Sequence, residues 1–124
     1  MEYLQELTLE LNSNVAYTTI GAKQGDGNSR VLKIHITENG LDWKIPINAN
    51  VSYRVRKPDG YAVWNEAIPD LDENVVLLTL TEQPLAAAGR AYADIVFSVG
   101  TDTERQILST VSFIIIIMAS PDIT

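Results

Sequence analysis

Several groups of side chains in this sequence have the means to do chemistry, and residue type and spacing decide how far each can go. His35 is the single histidine. A catalytic histidine works with an orienting group and a nucleophile. The chain has no Gly-x-Ser-x-Gly elbow, and His35 sits among alternating apolar residues, so it reads as a solvent-facing strand residue. Asp70, Asp72 and Asn74 stand at the one-three-five spacing that opens a calcium loop. The glycine required next is Val75 and the closing glutamate position holds Thr81, so an acidic, solvated loop is the better reading. Gly25-Asp26-Gly27-Asn28-Ser29-Arg30 lacks the third glycine of a phosphate cradle and precedes a strand instead of a helix. Arg54 and Arg56 share a face with Ser52, and with Lys33 on another strand they would suit a carboxylate or phosphate. A solvated face with acidic neighbours fits them better. Trp43, Tyr61 and Trp64 have the planar faces to stack on sugars. Tyr53 falls on the core side of its strand, and for Tyr61 and Trp64 the alternation does not decide.

Composition narrows the field further. The chain has 124 residues, 46% of them hydrophobic, enough to bury about two thirds of the unfolded surface around one core without a staple. It has no cysteine, which excludes disulfides, thiolate nucleophiles and cysteine-ligated metal; with one histidine, a zinc site would need mostly carboxylates. Nine basic and sixteen acidic residues leave a net charge of -7, which repels nucleic acid and anionic membrane. The start, Met1-Glu2-Tyr3-Leu4-Gln5-Glu6, is acidic where a secretory signal is basic. The apolar run Val111–Ala119 is far shorter than the roughly 20 residues that span a bilayer. The expectation is a soluble protein made in the cytoplasm without a signal peptide.

The elements that must position these residues are strands. The clearest is a hairpin from Val51 to Asn65. Val51, Tyr53 and Val55 alternate with polar residues, Lys57-Pro58-Asp59-Gly60 turns the chain, and Tyr61-Ala62-Val63-Trp64 returns. Leu32, Ile34 and Ile36 predict another strand, closed by an Asn39-Gly40 hairpin turn into Leu41-Asp42-Trp43. Leu7, Leu9 and Leu11 predict a first strand, although Leu4, Leu7 and Leu11 also suit a helix face. Val15–Ile20 predicts a second short strand and Gly21–Ser29 an exposed loop. Ile68–Asn74 reads as an acidic loop, Val75–Leu80 as a strand covered on each side, and Glu82–Ala88 as a helical turn between Thr81 and Gly89. Ala91, Ala93, Ile95, Phe97 and Val99 share one face of the next strand, and Gly100–Thr103 turns the chain.

The last strand runs from about Gln106 to Met118. Phe113, Ile115 and Ile117 continue a core register set by Ile107, Ser109 and Val111. That leaves Ile114, Ile116 and Met118 for something other than water: the helical turn, a second sheet, or another chain. The whole pattern predicts an all-β, antiparallel sandwich, immunoglobulin-like or jelly-roll-like, with one short helical turn; a small barrel is the alternative.

Three stretches in this order carry a resemblance: Ala22-Lys23-Gln24-Gly25-Asp26 with Ser29-Arg30, Arg56-Lys57-Pro58-Asp59-Gly60, and Leu80-Thr81-Glu82-Gln83-Pro84-Leu85 leading to Gly89. With the Asn39-Gly40 turn and the final strand from Leu108-Ser109-Thr110, they resemble the N-terminal domain of the baseplate upper protein of siphophages and prophages of Gram-positive bacteria. Pro84 departs from the pattern, standing where a residue with a backbone N–H is more usual, though a first helical turn tolerates it.

The resemblance implies a non-enzymatic structural module of the virion, with no cofactor or metal and no catalytic residues. In the family it attaches a host-adhesion device to the tail tip, usually within a trimer, so it implies a homo-oligomer (a dimer being the alternative) and contacts to other tail-tip proteins. It also implies that residues 1–124 form the N-terminal module of a longer protein. The candidate contacts are Gln24, Asp26, Asn28 and Arg30 in the glycine-rich loop, and Ile114, Ile116 and Met118 on the last strand. The alternative function is a carbohydrate-binding module using Trp43, Tyr61 and Trp64.

Overall fold

The computed structural model describes residues 3–11, 17–23, 30–81, 87–101 and 103–119. These residues are all-β: β1 (Tyr3–Glu10), β2 (Thr19–Lys23), β3 (Arg30–Glu38), β4 (Leu41–Asp42), β5 (Asn50–Arg56), β6 (Ala62–Glu66), β7 (Ile68–Asp70), β8 (Val75–Leu80), β9 (Gly89–Val99) and β10 (Gln106–Met118). One sheet has the order β1-β3-β8-β7, with β4 paired to β3; the other has the order β2-β10-β9-β5-β6. We call them sheets A and B. They face each other as a sandwich.

The hairpin turns behave as their residues dictate. Asn39 and Gly40 both take positive φ, 53° and 83°, and join Glu38 to Leu41 in the two-residue loop that matches strand twist. At the tip of the β5–β6 hairpin, Gly60 donates its N–H to the Lys57 carbonyl (2.9 Å) and Asp59 accepts from the Tyr61 N–H (3.0 Å). Glu10 secures the other turn from outside. Its carboxylate accepts from the N–H groups of Asn39 (2.7 Å) and Gly40 (3.0 Å), and from the Thr37 hydroxyl (2.8 Å).

Both sheets are mixed. β1 runs parallel to β3, and β2 parallel to β10; the remaining ladders are antiparallel. Hairpin turns announce only antiparallel neighbours, so the sequence signals predict antiparallel pairing throughout. A parallel pair needs a crossover of a dozen or more residues. Between β1 and β3 that crossover carries β2, which is lodged in the opposite sheet.

The inner faces are almost wholly apolar. Leu7, Leu9, Leu32, Ile34, Leu78 and Leu80 of sheet A meet Val55, Ile95, Phe97, Phe113 and Ile115 of sheet B. Ala93 sits beside Phe113 in the ladder, and Ala91 beside Ile115, so small residues make room for large ones. Tyr53 on β5 is the exception in chemistry. Its ring is buried, and its hydroxyl crosses the sandwich to donate to the Thr79 carbonyl on β8 (2.7 Å) while accepting from the Asn65 side-chain amide (3.2 Å).

Three expectations need correction, and one alternative is settled. The second strand runs over Thr19–Lys23, so Gly21–Lys23 is strand where a loop is predicted; Ala22, 1% exposed, lodges in the core. Ile68–Asp70 is a strand, and only Leu71–Asn74 turns, with the Asp70 carboxylate accepting from the N–H groups of Asp72 and Glu73. Ile107 is not in the core but 61% exposed. The register shifts between Ile107 and Ser109, and one inserted residue moves every side chain before it to the opposite face. Leu4 is exposed and Leu7 and Leu9 are buried, which is strand alternation and not a helix face. The helical turn expected over Glu82–Ala88 lies, for residues 82–86, outside the described residues.

Three outcomes follow from this packing. Burial raises the Tyr53 hydroxyl pKa above the ordinary value of 10.0. The folded state therefore holds that proton more tightly, so its contribution is complete below about pH 10 and is lost as pH climbs beyond. Tyr53→Phe should cost about 1 kcal/mol at neutral pH, and denaturant titrations across the alkaline range should show a shallower decline than for the native chain. Gly100 takes a φ of +102°, and a Cβ there would stand 2.3 Å from the Glu104 carbonyl oxygen. Gly100→Ala should cost about 2 kcal/mol or more in thermal melts. At Gly21, where a Cβ meets nothing within 4 Å, alanine should change stability by less than about 0.5 kcal/mol.

Candidate functional site

The outward faces of the two sheets differ in chemistry. On sheet A, Lys33 of β3 reaches Glu73 (2.5 Å) and lies 4.0 Å from Glu6 of β1. The hydrogen bond to Glu73 raises the Lys33 pKa above the ordinary lysine value. His35 stands beside the same Glu6, Nε2 to Oε1 3.6 Å, with both side chains open to solvent. Among the described residues, no group of three or more acidic and histidine side chains gathers to hold a metal. Asn74 has a structural role: its side chain accepts from the Ile45 N–H (2.9 Å) and donates to the Trp43 carbonyl (3.0 Å).

Sheet B presents three zones along its outer face. At one end the ladder register lines up Thr19, Ile114, Tyr92 and Arg56 across four strands, with Gly21, Ile116 and Arg90 in the next row and Met118 beyond. Ile114 and Ile116 are half-buried, and Met118 (49%), Tyr92 (47%) and Tyr17 (56%) are open. Gly21 adds no side chain beside Ile116. The result is an apolar patch facing outward from β10.

The middle zone is a polar cluster. Arg54 donates to one Asp94 oxygen (2.5 Å) and Ser112 donates to the other (2.6 Å), while the Arg54 guanidinium lies 5.5 Å from the centre of the Trp64 ring. The third zone is a groove of about 710 Å³ over β5, β6 and the end of β9, lined by Ser52, Trp64, Glu66, Ser98 and Arg105 among others.

The sequence-derived candidates divide accordingly. Ile114, Ile116 and Met118 share one surface, as their alternation requires. The second sheet packs on the other face of β10, and the helical turn proposed as a cover lies, for residues 82–86, outside the described residues. Gln24, Asp26 and Asn28 lie outside the described residues. Arg30 opens β3 in the other sheet, where it donates to the Gln5 side chain (2.6 Å), so it does not join the β10 patch. The basic group does not assemble either: Lys33 belongs to sheet A, and Arg54 is engaged by Asp94. The aromatic trio is dispersed. Trp43 packs edge-on against Phe97 (4.9 Å), Tyr61 sits at the hairpin tip near Lys57, and Trp64 alone enters the groove. Sequence reasoning missed the Arg54–Asp94–Ser112 cluster and the Ser98–Arg105 contact. Their outward parity was legible, but not which strands lie side by side.

A family model described as the BppU N-terminal domain matches residues 3–124. Among solved structures, the N-terminal domain of phage TP901-1 ORF48 is similar in fold, with a TM-score of 0.72 and 16% sequence identity over 93% of this chain and 98% of that one. A comparison with curated protein sequences gives no match.

The division of the aromatics is open to direct measurement. Trp43→Ala, which empties a contact against the buried Phe97, should cost roughly 3 kcal/mol in denaturant unfolding. Trp64→Ala, at a surface position, should stay within about 1 kcal/mol.

Proposed function

The chain belongs to the family of BppU N-terminal domains, and from that membership we propose how it works within the phage tail baseplate. It is a non-enzymatic module that attaches the host-adhesion apparatus to the tail through protein–protein contacts, as the N-terminal part of a longer protein. As a baseplate domain it is a component of the virion tail.

The observation that carries the contact reading is the outward row of β10. Ile114, Ile116 and Met118 share the outer face of β10, with Tyr92 beside Ile114 in the ladder, on a strand paired with a neighbour on each side. Apolar side chains of this size gain from being covered, at roughly 25 cal/mol per Å² removed from water. Specific interfaces have such a core, enriched in aromatic residues and methionine and fringed with polar groups. Here Arg56 and Arg90 supply the polar edge. The partner is another copy of this chain, in the trimer implied by the resemblance or in a dimer, or a neighbouring tail protein. The glycine-rich loop with Gln24, Asp26 and Asn28 is retained as a second candidate contact on the strength of the resemblance.

The test is the double substitution Ile114→Glu with Ile116→Glu, read by light scattering and by co-purification with the other tail proteins. Loss of the oligomer or of the tail complex, with the β-sheet circular dichroism intact, is the expected result. An unchanged mass and unchanged capture by the tail proteins would remove this strand from the interface.

A further inference from the structure

We propose that the groove at the far end of sheet B is a binding site for a neutral saccharide, a role that goes beyond assembly and uses a different part of the molecule. The groove measures about 710 Å³, within the roughly 300–1,000 Å³ typical of small-molecule clefts. Its floor is the outer face of β5 and β9, and Trp64 on the edge strand β6 stands beside it with half its surface exposed.

The hydrogen-bonding groups around it are built but unspent. The Ser52 hydroxyl is buried, lines the groove and has no partner. Such an orphan is costly unless a bound group satisfies it. Ser98 is 2% exposed, and its hydroxyl accepts from Arg105 Nε (3.2 Å), which anchors the guanidinium over the end of β9. That single contact leaves the terminal nitrogens of Arg105 as donors. Glu66 lines the same groove, yet it makes no ion pair with Arg105 or any other described residue. Donor and acceptor therefore stand apart, each free for a ligand.

This combination selects a ligand class. The charges of Glu66 and Arg105 cancel across the lining, and the chain as a whole carries -7, so phosphate and other anions gain nothing by entering. A pyranose ring offers a C–H face to the indole of Trp64. Its hydroxyls both donate and accept, which answers Glu66, Arg105 and Ser52 together.

The experiment is an amide-resolved NMR titration of the full chain with glucose, galactose, mannose, N-acetylglucosamine and their disaccharides, each to about 10 mM. Sodium sulfate and a neutral tripeptide serve as the competing classes. The expected result is saturable shifts confined to Ser52, Trp64, Glu66 and Ser98 for at least one sugar, weakened by about tenfold or more in Trp64→Ala and in Glu66→Gln. Spectra elsewhere should be unchanged in both variants, and Glu66→Gln keeps the test valid if the tryptophan variant misfolds. The proposal is overturned if no sugar moves these amides, if the shifts fall elsewhere, if both variants bind as the native chain does, or if only sulfate or the peptide occupies the groove.

Discussion

Exclusion of water between two facing sheets is the constraint on which the rest of this molecule depends. Each fully buried leucine, isoleucine, valine or phenylalanine contributes about 1.5–3 kcal/mol, and the inner faces carry many of them. An exposed ion pair such as Lys33–Glu73 is worth at most about 1 kcal/mol. The core therefore fixes strand parity, and parity fixes what each outer face can present. Among the described residues, Tyr53 carries a polar group across that dry layer. It does so with its hydroxyl matched to a backbone carbonyl on the opposite sheet, so the crossing also sets how the two sheets lie against each other.

Once the inner faces are committed, the outer faces are free to diverge. Sheet A closes its surface with mutual pairs: Lys33 with Glu73 and Glu6, and Glu10 over the Asn39-Gly40 turn. Sheet B leaves much of its surface open. The apolar end of β10 and the groove beside Trp64 flank a polar cluster in which Arg54, Asp94 and Ser112 satisfy one another. A self-satisfied centre between two unsatisfied ends is an arrangement suited to a scaffold that meets different neighbours on one face. It accords with membership in a baseplate family.

Much of this was legible from residue order. The hairpin turns at Asn39-Gly40 and Lys57–Gly60 are written in local chemistry, and alternation placed Tyr53, Phe113, Ile115 and Ile117 inward. What escaped was non-local. No short motif announces that Arg54 will face Asp94, because β5 and β9 are brought together by the core and not by a turn between them. Ile107 was misplaced because a single extra residue at the bulge inverts parity without any glycine or proline to mark it. Ile68–Asn74 reads as loop because it is acidic, yet its first three residues form the outermost strand of sheet A, where a proline without an N–H is tolerated.

The placement of β2 also bears on how the molecule is made. Thr19–Lys23 finds its hydrogen-bonding partner in Ile114–Met118, almost the whole length of the chain away. During synthesis at about 5–20 residues per second, this early segment emerges seconds before the strand it pairs with. Such high contact order belongs to chains that fold in milliseconds to seconds and not microseconds. Until that closure, β10 is paired on its β9 side alone.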